Sequence, residues 1–353
     1  GFGGAFTLAN IIHKDSVEKK KWISEIEFKH GLAFTQFSPG PLITQVAIYI
    51  GFLKQGIIGA TVAGLSFIFT PLLLVLIISI FYSKFGNMPW MREALYGIGA
   101  SVIGIICSSV ISLIAKTIKK KIQWTIVVIV FLVSFLTGQT NYILFIAAGL
   151  IAMFLETKKM PKLFAIIPLP ILPLISNSKI LWQLFIFFFS AGSVAFGGGL
   201  AILPYLQTGV VSQYHWLTNK QFLDAVAVAM ITPGPVVITS VFIGYLVAGF
   251  PGAFFATLGM FLPVYLIVIT LTPLVKKHAE NMYVMSFVDG VIAAAMGAIC
   301  GAIIILGKES LTDYKAVMIA LISFIIFRFL KIQSVFIILT AGIIGVLLLH
   351  FHF

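Results

Sequence analysis

Residues 37–45, Phe-Ser-Pro-Gly-Pro-Leu-Ile-Thr-Gln, and residues 231–239, Ile-Thr-Pro-Gly-Pro-Val-Val-Ile-Thr, place the same Pro-Gly-Pro tripeptide inside two apolar stretches. Proline fixes φ and lacks an amide hydrogen, so each tripeptide interrupts a helix. Backbone that is not helical is tolerated at membrane depth where protein buries it or where it lines a water-filled cavity. The chain therefore contains the same unusual element twice.

The two tripeptides belong to a longer internal repeat. Residues 2–4, Phe-Gly-Gly, match residues 196–198, and Trp22 matches Trp216, both at an offset of 194 residues. Glycine, proline and tryptophan shared in one order and spacing indicate a duplicated unit.

The repeat sets the predicted domain bounds. We predict a first unit at residues 1–160, a connector at 161–179 and a second unit at 180–353. Because the chain begins at Gly1 inside a motif, we expect the first unit to lack its start. In each unit a capping-box pattern, Ser24-x-x-Glu27 or Thr218-x-x-Gln221, predicts the start of a helix.

The composition places both units in a membrane. The chain has 10% charged and 60% hydrophobic residues, whereas soluble proteins have about 25% and 45–50%. Several apolar stretches reach the roughly 20 residues needed to cross a bilayer. The net charge of +12 comes from lysine clusters between these stretches, which is typical of cytoplasmic loops. We therefore predict an all-α polytopic protein of the lipid bilayer, with no nucleic-acid partner.

The loop charges predict how the units are inserted. Residues 13–29 contain five lysines, but their counterpart, 207–221, contains one. Opposite insertion of two repeats explains this difference and recurs among secondary transporters. If residues 30–53 form a hairpin that leaves on the side it entered, the lysine-rich loop 116–122 also lies inside. We predict two inverted-topology repeats with about ten transmembrane helices and two re-entrant helical hairpins.

The helix that follows each break predicts an anion site. Its first amides are unpaired and its dipole places partial positive charge there. The alternative is a packed kink whose hydroxyls bond back to the preceding turn. Recurrence at matched positions favours the anion site. The candidate ligands are Thr35, Gln36, Ser38, Pro39, Gly40, Pro41, Thr44 and Gln45 in the first unit, and Thr232, Pro233, Gly234, Pro235, Thr239 and Ser240 in the second.

The glycine motifs and two aspartates are further candidates. Gly3-Gly4 and Gly197-Gly198-Gly199 are either helix breaks that expose amides to a substrate or close packing sites. Asp224 and Asp289 are candidate coupling groups, although a position at the membrane interface is the favoured alternative. The chain shows no P-loop, metal-ligand cluster or catalytic triad. We therefore predict no enzyme activity, no cofactor and no metal site, and transport that is secondary or channel-like.

These duplicated motifs resemble the chromate ion transporter family in its long, two-domain form. The similarity rests on the Phe-Gly-Gly motifs, the tryptophan loops, and the Pro-Gly-Pro segments followed by Tyr49-Ile50-Gly51 and Phe242-Ile243-Gly244. One departure is Ala5, which stands where the family often has proline.

The resemblance implies chromate efflux across the bacterial plasma (inner) membrane and chromate resistance. It also implies a sulfate-like ion as a related or exchanged substrate. Several alternatives stay open at this point. Transport is alternatively driven by protons or carries another anion, and the protein is alternatively a membrane-embedded enzyme or a lipid-handling scaffold. A homodimer also stays open.

Overall fold

A computed structural model describes residues 4–140, 142–157, 180–196, 198–278, 282–330 and 332–350. The first half contains α1 Gly4–His13, α2 Glu25–Phe37, α3 Leu42–Phe85, α4 Pro89–Thr117, α5 Lys121–Thr137 and α6 Tyr142–Thr157. The second half contains α7 Ile180–Ser193, α8 Leu203–Gln207, α9 Asn219–Ile231, α10 Thr239–His278, α11 Met282–Ser310, α12 Tyr314–Ile325 and α13 Ser334–His350. Short π-helical stretches cover Lys14–Lys19, Thr208–Gln213 and Ile326–Leu330, and a 3₁₀ turn covers Val236–Ile238.

The described residues are almost entirely helical and contain no strand. Among them, α3, α4, α11 and the stretch Val236–Thr272 are long and apolar enough to cross a membrane. Shorter apolar helices cover most of α5, α6, α7 and α13. The prediction of an all-α polytopic membrane protein is confirmed. The number of ten crossings stays a prediction, and the connector 161–179 lies outside the described residues.

The helix that leads into the first re-entrant candidate, residues 30–53, begins at a cap that the sequence predicted. Ser24 Oγ accepts from the Glu27 amide at 3.2 Å, and the Glu27 carboxylate accepts from the Ser24 amide at 2.8 Å. Thr218 and Gln221 form the same pair of bonds, at 3.2 and 3.0 Å. Each pair satisfies amides that a helix start leaves unpaired. Both predicted capping boxes are confirmed, and they fix the starts of α2 and α9.

Helix α3 reverses direction within its length. Gly56 has φ +58°, a left-handed conformation that glycine adopts readily. A Cβ on Gly51 would lie 2.3 Å from the carbonyl oxygen of Gly59, whereas eight residues of straight helix span about 12 Å. The chain therefore folds back, and a short arm, residues 42–54, lies antiparallel to a long arm, residues 57–85.

Helix α10 contains the same reversal at the equivalent place. Gly249 has φ +61°, and a Cβ on Gly244 would lie 2.3 Å from the Gly252 carbonyl oxygen. The short arm of α10 is residues 239–247, and the long arm is residues 250–278. In the first half the short arm follows the Pro-Gly-Pro segment directly, and in the second half the 3₁₀ turn Val236–Ile238 lies between them.

The short arm of α3 forms a hairpin with α2. A Cβ on Gly31 would lie 2.5 Å from Cδ1 of Tyr49, so the tyrosine ring covers that glycine. The rings of Phe34 and Tyr49 stack with centroids 6.3 Å apart. Because α2 and the short arm are in contact on either side of residues 39–41, the Pro-Gly-Pro segment forms the turn of a helical hairpin. Whether this hairpin enters the bilayer stays a prediction.

The two halves interlock through their longest straight helices. A Cβ on Gly104 of α4 would lie 2.2 Å from the Ala320 carbonyl oxygen of α12. Reciprocally, a Cβ on Gly297 of α11 would lie 2.4 Å from the Val127 carbonyl oxygen of α5. Small residues at such crossings let helix backbones approach closely. Each long helix therefore packs against the short helices of the other half.

Polar contacts at the helix ends give the directions of α4 and α11. Tyr96, near the start of α4, donates to Asp313, which follows the end of α11 and caps α12. Lys120, just after the end of α4, donates to Asp289 near the start of α11, with Nζ and Oδ2 3.2 Å apart. The start of α4 thus lies by the end of α11, and the end of α4 lies by the start of α11. The two helices run in opposite directions.

The bond from Tyr96 also affects the acidity of its partner. It stabilises the charged carboxylate and holds the pKa of Asp313 below its usual value. An ionised Asp313 also accepts the Ala316 amide at 2.8 Å, which secures the start of α12.

Candidate anion-binding site

The first Pro-Gly-Pro segment is held by the second half of the chain. The Gly40 amide donates to the Ala195 carbonyl oxygen at 2.9 Å. Gly40 has φ +131°, and a Cβ there would lie 2.9 Å from Cγ1 of Val264 on the long arm of α10. The first tip, residues 39–41, is therefore closely packed against α10 and the chain after α7.

The second tip, residues 233–235, makes the reciprocal contact. A Cβ on Gly234 would lie 2.7 Å from Cβ of Pro71 on the long arm of α3. Pro71 and Val264 occupy equivalent positions, 193 residues apart. Each tip thus contacts the long arm of the other half.

The chain around the second glycine motif lies close to both tips. Ala195 accepts from the first tip, and a Cβ on Gly199 would lie 3.2 Å from Cβ of Val236, the residue after the second tip. Four residues span at most about 14 Å, so the tips share one region of the protein. Gly198 has φ +101° and lies between helices, whereas Gly4 starts α1. Gly3 and Gly197 lie outside the described residues.

Three candidate hydroxyls donate hydrogen bonds to nearby backbone carbonyls. Thr35 Oγ1 donates to the Leu32 carbonyl oxygen at 2.8 Å. Thr232 and Thr239 donate in the same way to carbonyls three residues earlier, at 3.2 and 2.5 Å. An oxyanion accepts hydrogen bonds, so a hydroxyl whose single proton is already donated to the backbone has no proton left to donate to the anion. In this conformation these threonines follow the alternative of bonding back to the preceding turn.

Two more candidates tie the first tip together. Ser38 Oγ donates to Oε1 of Gln45 at 2.8 Å, and Gln45 Nε2 donates to the Pro39 carbonyl oxygen. Both side chains are buried. They join the end of α2 to the start of α3, which fixes the turn. The side chain of Gln36, a further candidate, is outside the described part of the structure.

The remaining hydroxyls, on Thr44 and Ser240, are fully buried. In the described part of the chain neither has a hydrogen-bond partner. Leaving a buried hydroxyl unpaired costs about 1–3 kcal/mol. Thr44 lies in the first turn of α3, where the Gln45 amide bonds to the Pro41 carbonyl oxygen at 3.1 Å. Ser240 lies in the first turn of α10. Both free donors therefore lie where the helix dipole favours an anion.

The structure separates the two aspartates. Asp289 has a side chain 37% exposed and is ion-paired with Lys120, which also bonds Glu156 at 2.8 Å. Asp224, in contrast, is 2% exposed and accepts a 2.8 Å hydrogen bond from Tyr82. Sequence reasoning missed Tyr82, because one tyrosine near the end of an apolar helix gives no signal of its partner. It also missed Ala195, which acts through its backbone carbonyl.

Comparison with known proteins identifies the family. The family model described as chromate transporter matches residues 1–154 and 182–346. The chain is 44% identical to a chromate transport protein of Cupriavidus metallidurans, over 99% of this chain and 91% of that protein. It is 41% identical to a probable chromate transport protein of Synechococcus elongatus, over 98% and 92% of the two chains.

A more distant relative, a chromate transport protein of Pseudomonas aeruginosa, is 26% identical over 98% of this chain and 88% of its own length. No solved structure matches the chain. The similarity to relatives named for transport covers the apolar helices, the two tips and the glycine motifs. The chain belongs to the chromate transporter family.

Proposed function

We propose that this protein exports chromate from the bacterial cytoplasm across the plasma membrane and thereby confers chromate resistance. Chromate is a tetrahedral dianion whose oxygens accept hydrogen bonds. The negative interior of a cell favours outward movement of such an ion, by about 2.3 kcal/mol per charge for each 100 mV. Family membership and the names of the relatives support this substrate.

The free hydroxyls of Thr44 and Ser240 carry the proposal. Each lies in the first turn of a helix that follows a tip, and the tips contact a common stretch of chain. A bound oxyanion would accept from these hydroxyls and from the amides directly after each tip, since those amides precede the first helical bonds. Neutral donors hold an anion without burying a cation beside it.

The transport architecture is part of the same proposal. Two inverted-topology repeats, residues 1–160 and 180–353, each carry a re-entrant hairpin, and together they cross the bilayer about ten times. The opposite directions of α4 and α11 support this arrangement. So do the equivalent reversals in α3 and α10.

Cysteine labelling from each side of the membrane tests the inversion. Lys119 and Thr312 are exposed and occupy equivalent positions before α5 and α12. In a background with Cys107 and Cys300 replaced by alanine, we expect Lys119→Cys to react with an impermeant thiol reagent only from the cytoplasm. Thr312→Cys should react only from outside. Labelling of both from one side would exclude inverted repeats.

Chromate flux into proteoliposomes tests the function and its ligands. We expect uptake of radiolabelled chromate by the wild type, and a loss of about tenfold or more in affinity for Thr44→Val and Ser240→Ala, since hydrogen bonds to charged groups contribute about 1.5–3 kcal/mol. Because neither hydroxyl has a hydrogen-bond partner among the described residues, neither change should lower the melting temperature.

Thr257→Val is the matched control for Thr44→Val. Thr257 is also buried in a long helix, but its hydroxyl donates to the Ala253 carbonyl oxygen at 2.6 Å. It should transport chromate as the wild type does. Full chromate affinity in both tip variants would refute this placement of the site, and no flux by the wild type would refute the function.

Competition distinguishes chromate from related anions. Sulfate has the same shape and charge, and neutral hydroxyls and amides do not by themselves separate the two ions. We expect both to compete for the site, and an excess of sulfate to reduce chromate uptake. Organic carboxylates that compete better than either would identify a carrier of another anion.

A further inference from the structure

Asp224 is a buried carboxylate that the proposed anion site leaves without a role. It lies in the second turn of α9 with 2% of its surface exposed. Its Oδ2 accepts from the Tyr82 hydroxyl at 2.8 Å. Tyr82 comes from the long arm of α3, in the other half of the chain. An ionised carboxylate costs free energy at such a buried position, and ionisable residues within membrane segments usually have a function.

The carboxylate is connected to the start of α10. The Tyr82 ring meets the ring of Phe242 edge to face, with centroids 5.0 Å apart. Phe242 is fully buried and follows Ser240 by two residues. Asp224 also precedes Thr232, at the end of its own helix, by eight residues, or about 12 Å. Asp224 is therefore joined to one side of the second tip by its own helix and to the other side through Tyr82 and Phe242.

Few charged groups act on Asp224. Tyr82 faces it from α3, and Lys220 lies one turn earlier on α9, with an exposed side chain. Among the described residues, α4, α10, α11 and α13, which also pack against α9, contribute no further charge to it. The described residues also contain no group of acidic, histidine or cysteine side chains suited to a metal ion. A buried carboxylate with few charges around it is able to bind a proton.

Electrostatic repulsion between Asp224 and the anion couples proton binding to anion binding. An ionised Asp224 repels a dianion at the second tip, and in a buried region the repulsion is weakly screened. A proton converts the carboxylate to a neutral acid and removes the repulsion. Proton and anion therefore favour each other's binding, and the two effects are equal by linkage.

We propose that Asp224 is a proton-binding site whose occupancy strengthens anion binding at the second tip, and that Tyr82 is its positioning residue. The proposal rests on the anion site of the proposed function. The proton comes from water and returns to it, with no other bond made or broken. Burial disfavours the charged form of Asp224 and the hydrogen bond from Tyr82 favours it, so loss of the Tyr82 hydroxyl shifts the pH at which the proton binds.

Equilibrium binding of radiolabelled chromate at a series of pH values tests this on the purified full chain. Chromate itself takes up a proton near neutral pH, so variants are compared with the wild type at each pH. Sulfate, which remains a dianion throughout, is the second probe. We expect wild-type affinity to weaken at alkaline pH. Asp224→Asn should then bind about tenfold more tightly than the wild type, with no difference at acidic pH.

Two further variants complete the test. Tyr82→Phe removes the donor, so the midpoint of the pH profile should move to higher pH without loss of affinity at acidic pH. Asp15→Asn changes an exposed carboxylate that pairs with Lys19 at 3.0 Å, and its profile should match the wild type. If Asp224→Asn fails to fold, the shift in Tyr82→Phe decides the question.

The outcomes separate the two proposals. Binding by the wild type at every pH, with an unchanged pH profile in Asp224→Asn or an unshifted midpoint in Tyr82→Phe, overturns the proton site and leaves the anion site standing. No binding of chromate or sulfate by the wild type at any pH overturns the anion site and the proton site with it.

Discussion

Replacing Gly40 or Gly234 with leucine is expected to reduce chromate flux to background while the protein still inserts into the membrane. Gly40 has φ +131°, which L residues rarely adopt, and a Cβ there would lie 2.5 Å from Nε2 of Gln45. At Gly234 a side chain would collide with Pro71. Either change displaces a tip, whereas the apolar helices that direct insertion are unaltered. Flux in proteoliposomes and gel-filtration profiles measure the two effects separately.

Ser66→Leu is the control for these leucines. Ser66 lies on the long arm of α3 with an exposed side chain, so a leucine there adds apolar surface without disturbing a tip. It should transport at the wild-type rate. Normal flux in both Gly40→Leu and Gly234→Leu would show that the tips take no part in transport.

Alanine at Gly297 is expected to destabilise the protein by about 2–3 kcal/mol, although alanine favours helix more than glycine does. The added Cβ would lie 2.4 Å from a backbone oxygen of α5, and backbone cannot rotate away as a side chain can. Gly104→Ala should have the same effect, because a Cβ there would lie 2.2 Å from the Ala320 carbonyl oxygen of α12. The measurement is the melting temperature in detergent.

Gly307 supplies a control on the same helix as Gly297. Among the residues that the structure describes, a Cβ on Gly307 would meet only Leu311, at 4.0 Å. Gly307→Ala should therefore raise the melting temperature slightly, as the gain in helix propensity predicts. If Gly297→Ala and Gly307→Ala gave equal melting temperatures, the close crossing of α11 and α5 would be wrong.

Local chemistry made much of the fold predictable. The pattern Ser24-x-x-Glu27 marks a helix start because its bonds lie within one turn. Pro39 and Pro41 mark a break because proline excludes a helical hydrogen bond wherever it stands. The apolar stretches at residues 94–115 and 123–137 lie within α4 and α5, and apolar length is likewise a local property of the sequence.

The contacts between the halves could not be predicted in this way. Tyr82 and Asp224 are 142 residues apart, and nothing in either neighbourhood specifies the other. The bond from Gly40 to Ala195 uses backbone atoms that every residue has. The sequence also could not distinguish Thr44 from Thr35. Both are threonines beside a tip, and only the local geometry decides which hydroxyl reaches a carbonyl.

The packing of each long helix against the short helices of the other half has a consequence for proteins that contain only one such half. Helix α11 covers α5 and α6, and α4 lies against α12 and α13. The first half alone would leave the inner faces of α5 and α6 open to lipid and would leave α4 without its partners. A second copy in the opposite orientation could supply every missing helix. On the inversion proposed above, such a protein would be stable as an antiparallel pair of separate chains, and the present chain would correspond to that pair joined end to end.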